Sequence, residues 1–216
     1  MKNRTTFKGR SLLTVIVALM ATVSFCVVPF FSPLKADAND EVKRLAALMQ
    51  WKPGTVVADI GAGDGRYAYA AVHYVRPTGK VFATEIDSQK LANLRADVKK
   101  RGYENVVIEE SKEADTNLPP ACCDAIFLRR VYHHLTKPAE FDASLVRSLK
   151  PGGRLAIIDF PPRSGLEPVE GVPANRGGHG IPQKIAIEEL TAAGLQLEKV
   201  VEDWPQSDYC LLFAKK

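Results

Sequence analysis

Residues 56–66 read VVADIGAGDGR: an apolar run, three glycines spaced by single residues, then the start of a helical pattern. Glycines allow a tight turn between a strand and a helix, and they let a ligand come close to the backbone N–H groups at the helix start. The same alternation continues downstream. Strands are expected over 55–60, 80–85, 105–109, 125–128 and 154–160, with helices over 66–75, 89–101 and 138–149 between them. Apolar strands separated by helices form a parallel sheet covered on both faces. The fold class is therefore α/β, a doubly wound, mostly parallel sheet expected to have seven strands.

Both ends of this pattern depart from the alternation. An amphipathic stretch over 41–50 places Val42, Leu45, Leu48 and Met49 on one helical face. Near the other end a helix is expected over 185–193, then strands over 196–201 and 209–214 joined only by 202–208. So short a link permits an antiparallel hairpin and not a parallel crossover. Between 161 and 182 lies a Gly/Pro-rich stretch without a regular period, and loops of that length in compact domains are functional or disordered.

The chain has 29 basic and 25 acidic residues and 46% apolar residues, too apolar for intrinsic disorder. The whole excess of +4 sits in residues 1–38, where Lys2, Arg4, Lys8, Arg10 and Lys35 face Asp37 alone. Residues 39–216 are neutral, which argues against nucleic acid as a partner. The leader has a basic head, an apolar run over 12–28, Pro29 and the small-x-small triplet Ala36-Asp37-Ala38. That is the plan of a secretory signal cleaved after Ala38. If the run continues through Phe31 it is long enough to cross a bilayer, so an uncleaved anchor using residues 12–31 is the alternative, and an organellar presequence is a third. The chain divides into a leader, 1–38, and one domain, 39–216. The domain is expected outside the cytoplasm, either released or held by a single-pass anchor. Cys26 reads as part of the apolar run. Cys122, Cys123 and Cys210 supply neither a disulfide framework nor zinc spacing, and no metal site is expected.

The strand over 80–85 ends in Glu85, placed to take both hydroxyls of a ribose. Glycine turn and acid together are common to dinucleotide enzymes and to S-adenosylmethionine enzymes. The spacing G-x-G-x-G differs from the dinucleotide fingerprint G-x-G-x-x-G. Asp59 and Asp64 beside the turn would repel a pyrophosphate and suit an ammonium and a sulfonium.

These segments resemble the class I S-adenosylmethionine-dependent methyltransferases over nearly all of 40–216. DIGAGDG is similar to that family's first motif, ATEID to its second, LPPACCDAIFLRRVYHHL to its fourth and LKPGGRLAIIDF to its fifth strand. ELTAAGLQLEKVVEDWPQSDYCLLFAK is similar to its terminal hairpin. VYHHL with DTNLPP resembles small bacterial members whose substrates are mostly unassigned. The resemblance implies S-adenosylmethionine as cofactor, lined by Gly61, Gly63 and Gly65, with Asp59 orienting its amino-acid end, Glu85 holding its ribose and Ile86 against its adenine. It also implies a polar adenine contact after the third strand, for which Glu113 and Asp115 are the candidates, and a methionine pocket around Leu128 to Arg130 that includes Arg129.

Methyl transfer is an in-line displacement driven mainly by positioning, and a general base is needed only when the acceptor must lose a proton. Tyr132, His133 and His134 follow the fourth strand at the edge where open parallel sheets bind ligands. Tyr132, His133 and, in the long loop, His179 are the catalytic candidates, with structural roles as the alternative for each. The fourth motif lacks the Asn/Asp-Pro-Pro-aromatic box of amino methylation, so the expected partner is a small-molecule acceptor, methylated on a hydroxyl or a carbon. Two competing readings are a non-catalytic binding module with this fold in the cell envelope and an NAD(P)-dependent dehydrogenase.

Overall fold

The computed structural model describes residues 37–216; the basic head, the apolar run and Cys26 of the expected leader lie outside the described residues. Seven strands form one sheet in the order β3-β2-β1-β4-β5-β7-β6. They are β1 Val56–Ile60, β2 Lys80–Glu85, β3 Val106–Glu110, β4 Cys123–Arg129, β5 Leu149–Asp159, β6 Leu195–Trp204 and β7 Asp208–Lys215. The first five pair in parallel, and β7 runs antiparallel to both β5 and β6. The doubly wound sheet and its terminal antiparallel hairpin are as the sequence implies.

The helices are α1 Ala38–Leu48, α2 Arg66–Val75, α3 Ser88–Arg101, α4 Pro138–Ser148 and α5 Gln183–Ala192. Val42, Leu45, Val72 and Leu94 of the first three pack on Val57, Phe127, Ala156 and Leu212. Phe141, Leu145, Ala186 and Leu190 cover the opposite face with Ile60, Ile126, Leu128 and Ile157. Successive strand residues point to opposite faces, so a strand such as β4, covered on both, is apolar at every position. Strand order reverses between β1 and β4, which opens a crevice beyond their carboxyl ends.

Some boundaries differ from the sequence reading. Helix α1 starts at Ala38, three residues early, because the Asp37 carboxylate accepts from Asn39 N at 3.0 Å and caps it. The expected cleavage point after Ala38 thus falls in the first turn of α1. Strand β5 begins at Leu149, ahead of the Pro-Gly-Gly bend, where the pairing with β4 shifts register. Strand β6 runs on to Trp204, leaving only Pro205–Ser207 as connection, with Gln206 and Ser207 at φ 65° and 59°. Cys122 and Cys123 lie at the amino end of β4, their Sγ atoms 2.7 Å apart, away from the crevice. Among the described residues no helix is long and apolar enough to cross a membrane.

The stretch over 161–182 is a folded loop anchored by Arg176. This side chain is 1% exposed. It donates to Leu135 O, to Tyr132 O and to both carboxylate oxygens of Glu189, at 2.9–3.1 Å. Burial of a guanidinium costs heavily unless it is paired and hydrogen-bonded in this way.

Candidate cofactor and acceptor site

The three glycines after β1 have different physical reasons to be glycine. All have positive φ, 69°, 59° and 77°. A Cβ on Gly61 would lie 2.6 Å from Val131 Cγ2, and one on Gly65 2.5 Å from Tyr69 Cζ, so packing forbids both. A Cβ on Gly63 would meet nothing within 4 Å, and its N–H donates to Glu85 Oε2 at 3.0 Å. Gly63 is the glycine that leaves room for a ligand.

Two adjoining cavities of about 760 and 530 Å³ share Gly61, Gly63, Lys90, Arg129 and Arg130 as walls. The larger contains Asp59, whose side chain is buried and whose Oδ2 has no hydrogen-bond partner. Burial, with Glu85 and Asp64 nearby, pushes the Asp59 carboxyl up to about 8. Asp64 is spent differently from expectation: it is exposed and pairs with Arg66, whose guanidinium holds its carboxyl below the usual range. Arg129 lines both cavities and is gripped by Glu41 of α1, Nε to Oε2 at 3.0 Å and Nη2 to Oε1 at 2.9 Å. Glu41 is 1% exposed and also accepts from Tyr67 Oη and Trp204 Nε1.

In the smaller cavity the Glu85 carboxylate is fixed by three backbone donors, Gly63 N, Ile86 N and Asp87 N. Ile86 stands beside it, 58% exposed, an apolar wall open to a ligand. Asp115 is not there. Its carboxylate is bound to Arg147 and Asn117 N outside both cavities, so of the two adenine candidates only Glu113 lines one. Glu113 lines the cavity and is held by Lys137 and Thr136.

Tyr132 lies away from both cavities. Its side chain is fully buried on the α4–α5 side, and its hydroxyl lies 2.9 Å from Asp142 Oδ2 and 3.0 Å from Glu189 Oε2. The backbone turn over 132–134 sends it into the core, while His134 lines the smaller cavity. Burial raises its phenol far above the ordinary value, which leaves it as a proton donor within a structural network.

His133 and His179, distant in sequence, come together. His133 is 2% exposed. Its Nδ1 lies 2.8 and 3.0 Å from the two oxygens of Asp159, at the carboxyl end of β5, and its own N–H donates to Asp159 Oδ2. That carboxylate also accepts from Phe160 N, so Nδ1 is the donor between the two side chains. Nε2 is buried and unpartnered. The rings of His134, His179 and Phe160 lie 4.0, 5.4 and 4.8 Å from the His133 ring, centroid to centroid. His134 lines the smaller cavity, and burial, with His133 beside it, pushes its imidazole down to about 4. Among the described residues no group of three or more His, Cys, Asp or Glu is arranged to hold a metal ion. Sequence reasoning missed Asp159 and Glu41. Asp159 has a visible signal, an acid ending an apolar strand at the ligand edge. Glu41 has none, because its partners are 26, 88 and 163 residues away.

Residues 58–157 match the model of a methyltransferase domain. The chain is 29% identical over 165 residues to a 27-O-demethylrifamycin SV methyltransferase of Amycolatopsis mediterranei, covering 72% of this chain and 59% of that protein. It is 29% identical over 110 residues to a ubiquinone/menaquinone biosynthesis C-methyltransferase UbiE of Francisella philomiragia, 50% of this chain and 44% of that protein. The chain thus spans about half to three fifths of the length of these relatives. The solved structure of a SAM dependent methyltransferase from Aquifex aeolicus superimposes with a TM-score of 0.64 at 26% identity, covering 82% of this chain and 98% of that one. The fold and the matched domain imply S-adenosylmethionine as cofactor. The crevice fits it on its own terms, since the buried Asp59 carboxyl has an oxygen without a partner and can ionise against an incoming ammonium.

Proposed function

We propose that this chain, which carries the fold, the matched domain and the cofactor crevice of the S-adenosylmethionine-dependent methyltransferases, moves a methyl group to a hydroxyl or an acidic carbon of a small molecule. The observation that carries the acceptor type is His133. An imidazole whose Nδ1–H is fixed by a buried carboxylate and whose Nε2 is unpartnered is arranged to accept a proton. Hydroxyl and carbon acceptors must lose one, whereas an amine nitrogen attacks with a lone pair it already has.

S-adenosylmethionine, when bound, supplies a methyl group on a sulfonium. Asp59 would hold its ammonium, Arg129, oriented by Glu41, its carboxylate, and Glu85 its ribose hydroxyls, with Gly63 leaving space and Ile86 forming a wall for the adenine. Asp159 holds His133 in one tautomer and stabilises the imidazolium that forms when Nε2 takes the acceptor's proton. The His179 ring, 5.4 Å from that of His133, is tied by one hydrogen bond, Nδ1 to Glu167 O at 2.9 Å, and in this reading it moves aside to admit an acceptor to the buried Nε2.

Residues 1–38 act in this reading as an export signal or single-pass anchor, which places the domain outside the cytoplasm. Binding of S-adenosylhomocysteine by calorimetry tests the cofactor assignment, and absence of binding overturns the enzyme reading. With an acceptor in hand, His133→Ala that keeps full turnover removes base catalysis and leaves positioning alone.

A further inference from the structure

Next to the His133–Asp159 pair lies a second polar group that the cofactor does not account for. Arg130 follows β4 in the left-handed region, at φ 54°, a conformation that a non-glycine residue holds only when its surroundings enforce it. Its Nε and Nη2 each reach an oxygen of Asp208 at 2.7 Å. Arg163, from the start of the long loop, turns to the same carboxylate, with Nη2 3.4 Å from Asp208 Oδ1 and 3.2 Å from Gln206 O. Asp208 is 1% exposed. Two guanidinium groups share this one buried carboxylate, so the group carries a net positive charge, and most of their N–H donors are left over.

Both guanidinium groups lie over the ring of Phe160, their carbons 5.2 and 4.3 Å from its centroid. The His133 ring lies 4.8 Å from the same centroid. Phe160 is thus a neighbour of both the cationic pair and the base. Arg130 and Gln206 also line the larger cavity, while the Arg163 side chain is 40% exposed. A guanidinium held in place by one carboxylate and open on its other edge is suited to a second carboxylate.

We infer that Arg130 and Arg163 form an anion subsite of the acceptor site, and that the acceptor is a small hydroxylated carboxylate whose carboxylate meets the arginines while its hydroxyl meets His133 Nε2. This rests on the methyltransferase reading above and deepens it, since it names the charge of the acceptor. Arg130 and Arg163 are binding residues in it.

The test uses the whole protein with S-adenosylhomocysteine bound. Small hydroxy acids, with 4-hydroxybenzoate as first probe, are titrated by calorimetry against matched neutral alcohols such as 4-hydroxybenzyl alcohol. At least one carboxylate is expected to bind roughly tenfold or more tightly than its neutral partner, with an affinity that falls as salt rises. Arg163→Gln is expected to erase that preference and leave the affinity for S-adenosylhomocysteine within about twofold of the parent. Arg163→Lys is expected to restore part of it. Equal binding of charged and neutral probes, no carboxylate binding at millimolar concentration, or a preference untouched by Arg163→Gln overturns the anion subsite while leaving the methyltransferase reading in place. Failure to bind S-adenosylhomocysteine is a different result and removes the reading underneath.

Discussion

At the scale of single residues, the site is governed by which polar atoms lack partners. Asp59 is the clearest case. Its carboxyl is raised from 3.8 to about 8 by burial, so the native state keeps a proton that the unfolded chain releases over that interval. Stability therefore falls as pH rises from 3.8 to about 8, and Asp59→Asn should become more stable relative to the parent across that window and parallel to it outside. Denaturant unfolding as a function of pH measures this. A bound ammonium favours the ionised form, so cofactor binding near pH 7 should release a proton, detected by calorimetry in buffers of different ionisation enthalpy, and Asp59→Asn should abolish the release. At His133 the outcome is kinetic. His133→Ala and Asp159→Asn should each lower turnover by about 10²–10⁴-fold with little change in S-adenosylhomocysteine affinity. That the glycines, Asp59 and Glu85 gather at one sheet edge was legible in the sequence because one short segment and one strand end carry them. The Asp159 partner of His133 was not, since 26 residues separate the two and only the pairing of β4 with β5 brings them together.

At the scale of elements, the long loop and α1 each depend on one side chain. Arg176 ties the loop over 161–182 to α5 and to the turn after β4. Arg176→Ala leaves buried acceptors unpaired and should cost about 3–5 kcal/mol. Urea unfolding reads the loss, and proteolysis within the loop should accelerate with it. Composition predicted a loop that is either functional or disordered, and one arginine orders it by finding four acceptors on two different segments. Asp37 caps α1, and Asp37→Ala should cost about 1 kcal/mol. The effect appears only in a chain that retains residue 37, so the same measurement on protein purified from native cells reports whether cleavage after Ala38 has occurred. Helix α1 itself was visible from its apolar face. That it also carries Glu41, the residue orienting Arg129, was hidden, because a glutamate on an amphipathic helix reads as a solvated one.

At the scale of the whole molecule, ligand binding and folding are one equilibrium. S-adenosylhomocysteine at about a hundred times its Kd should stabilise the chain by about 2.7 kcal/mol, a rise of several degrees in Tm, and a nicotinamide dinucleotide should give none. Fractionation of native cells with N-terminal sequencing tests the leader, with a start at Asn39 in an exported fraction expected for a signal and a start at Met1 in a membrane fraction for an anchor. By itself the sequence determined the α/β class, the parallel order with its antiparallel end and the glycine turn between β1 and α2, because these follow from periodicity, link length and glycine sterics, all local along the chain. It also determined that the net charge belongs to residues 1–38. Only the tertiary structure decided the pairings: that Tyr132 is buried and Asp115 paired with Arg147, that His133 has Asp159 at its Nδ1 and the His179 ring near it, and that two arginines share the carboxylate of Asp208. Those relations depend on which strand ends meet across the sheet, and hydrogen bonds between segments far apart in the chain leave no period or spacing to read.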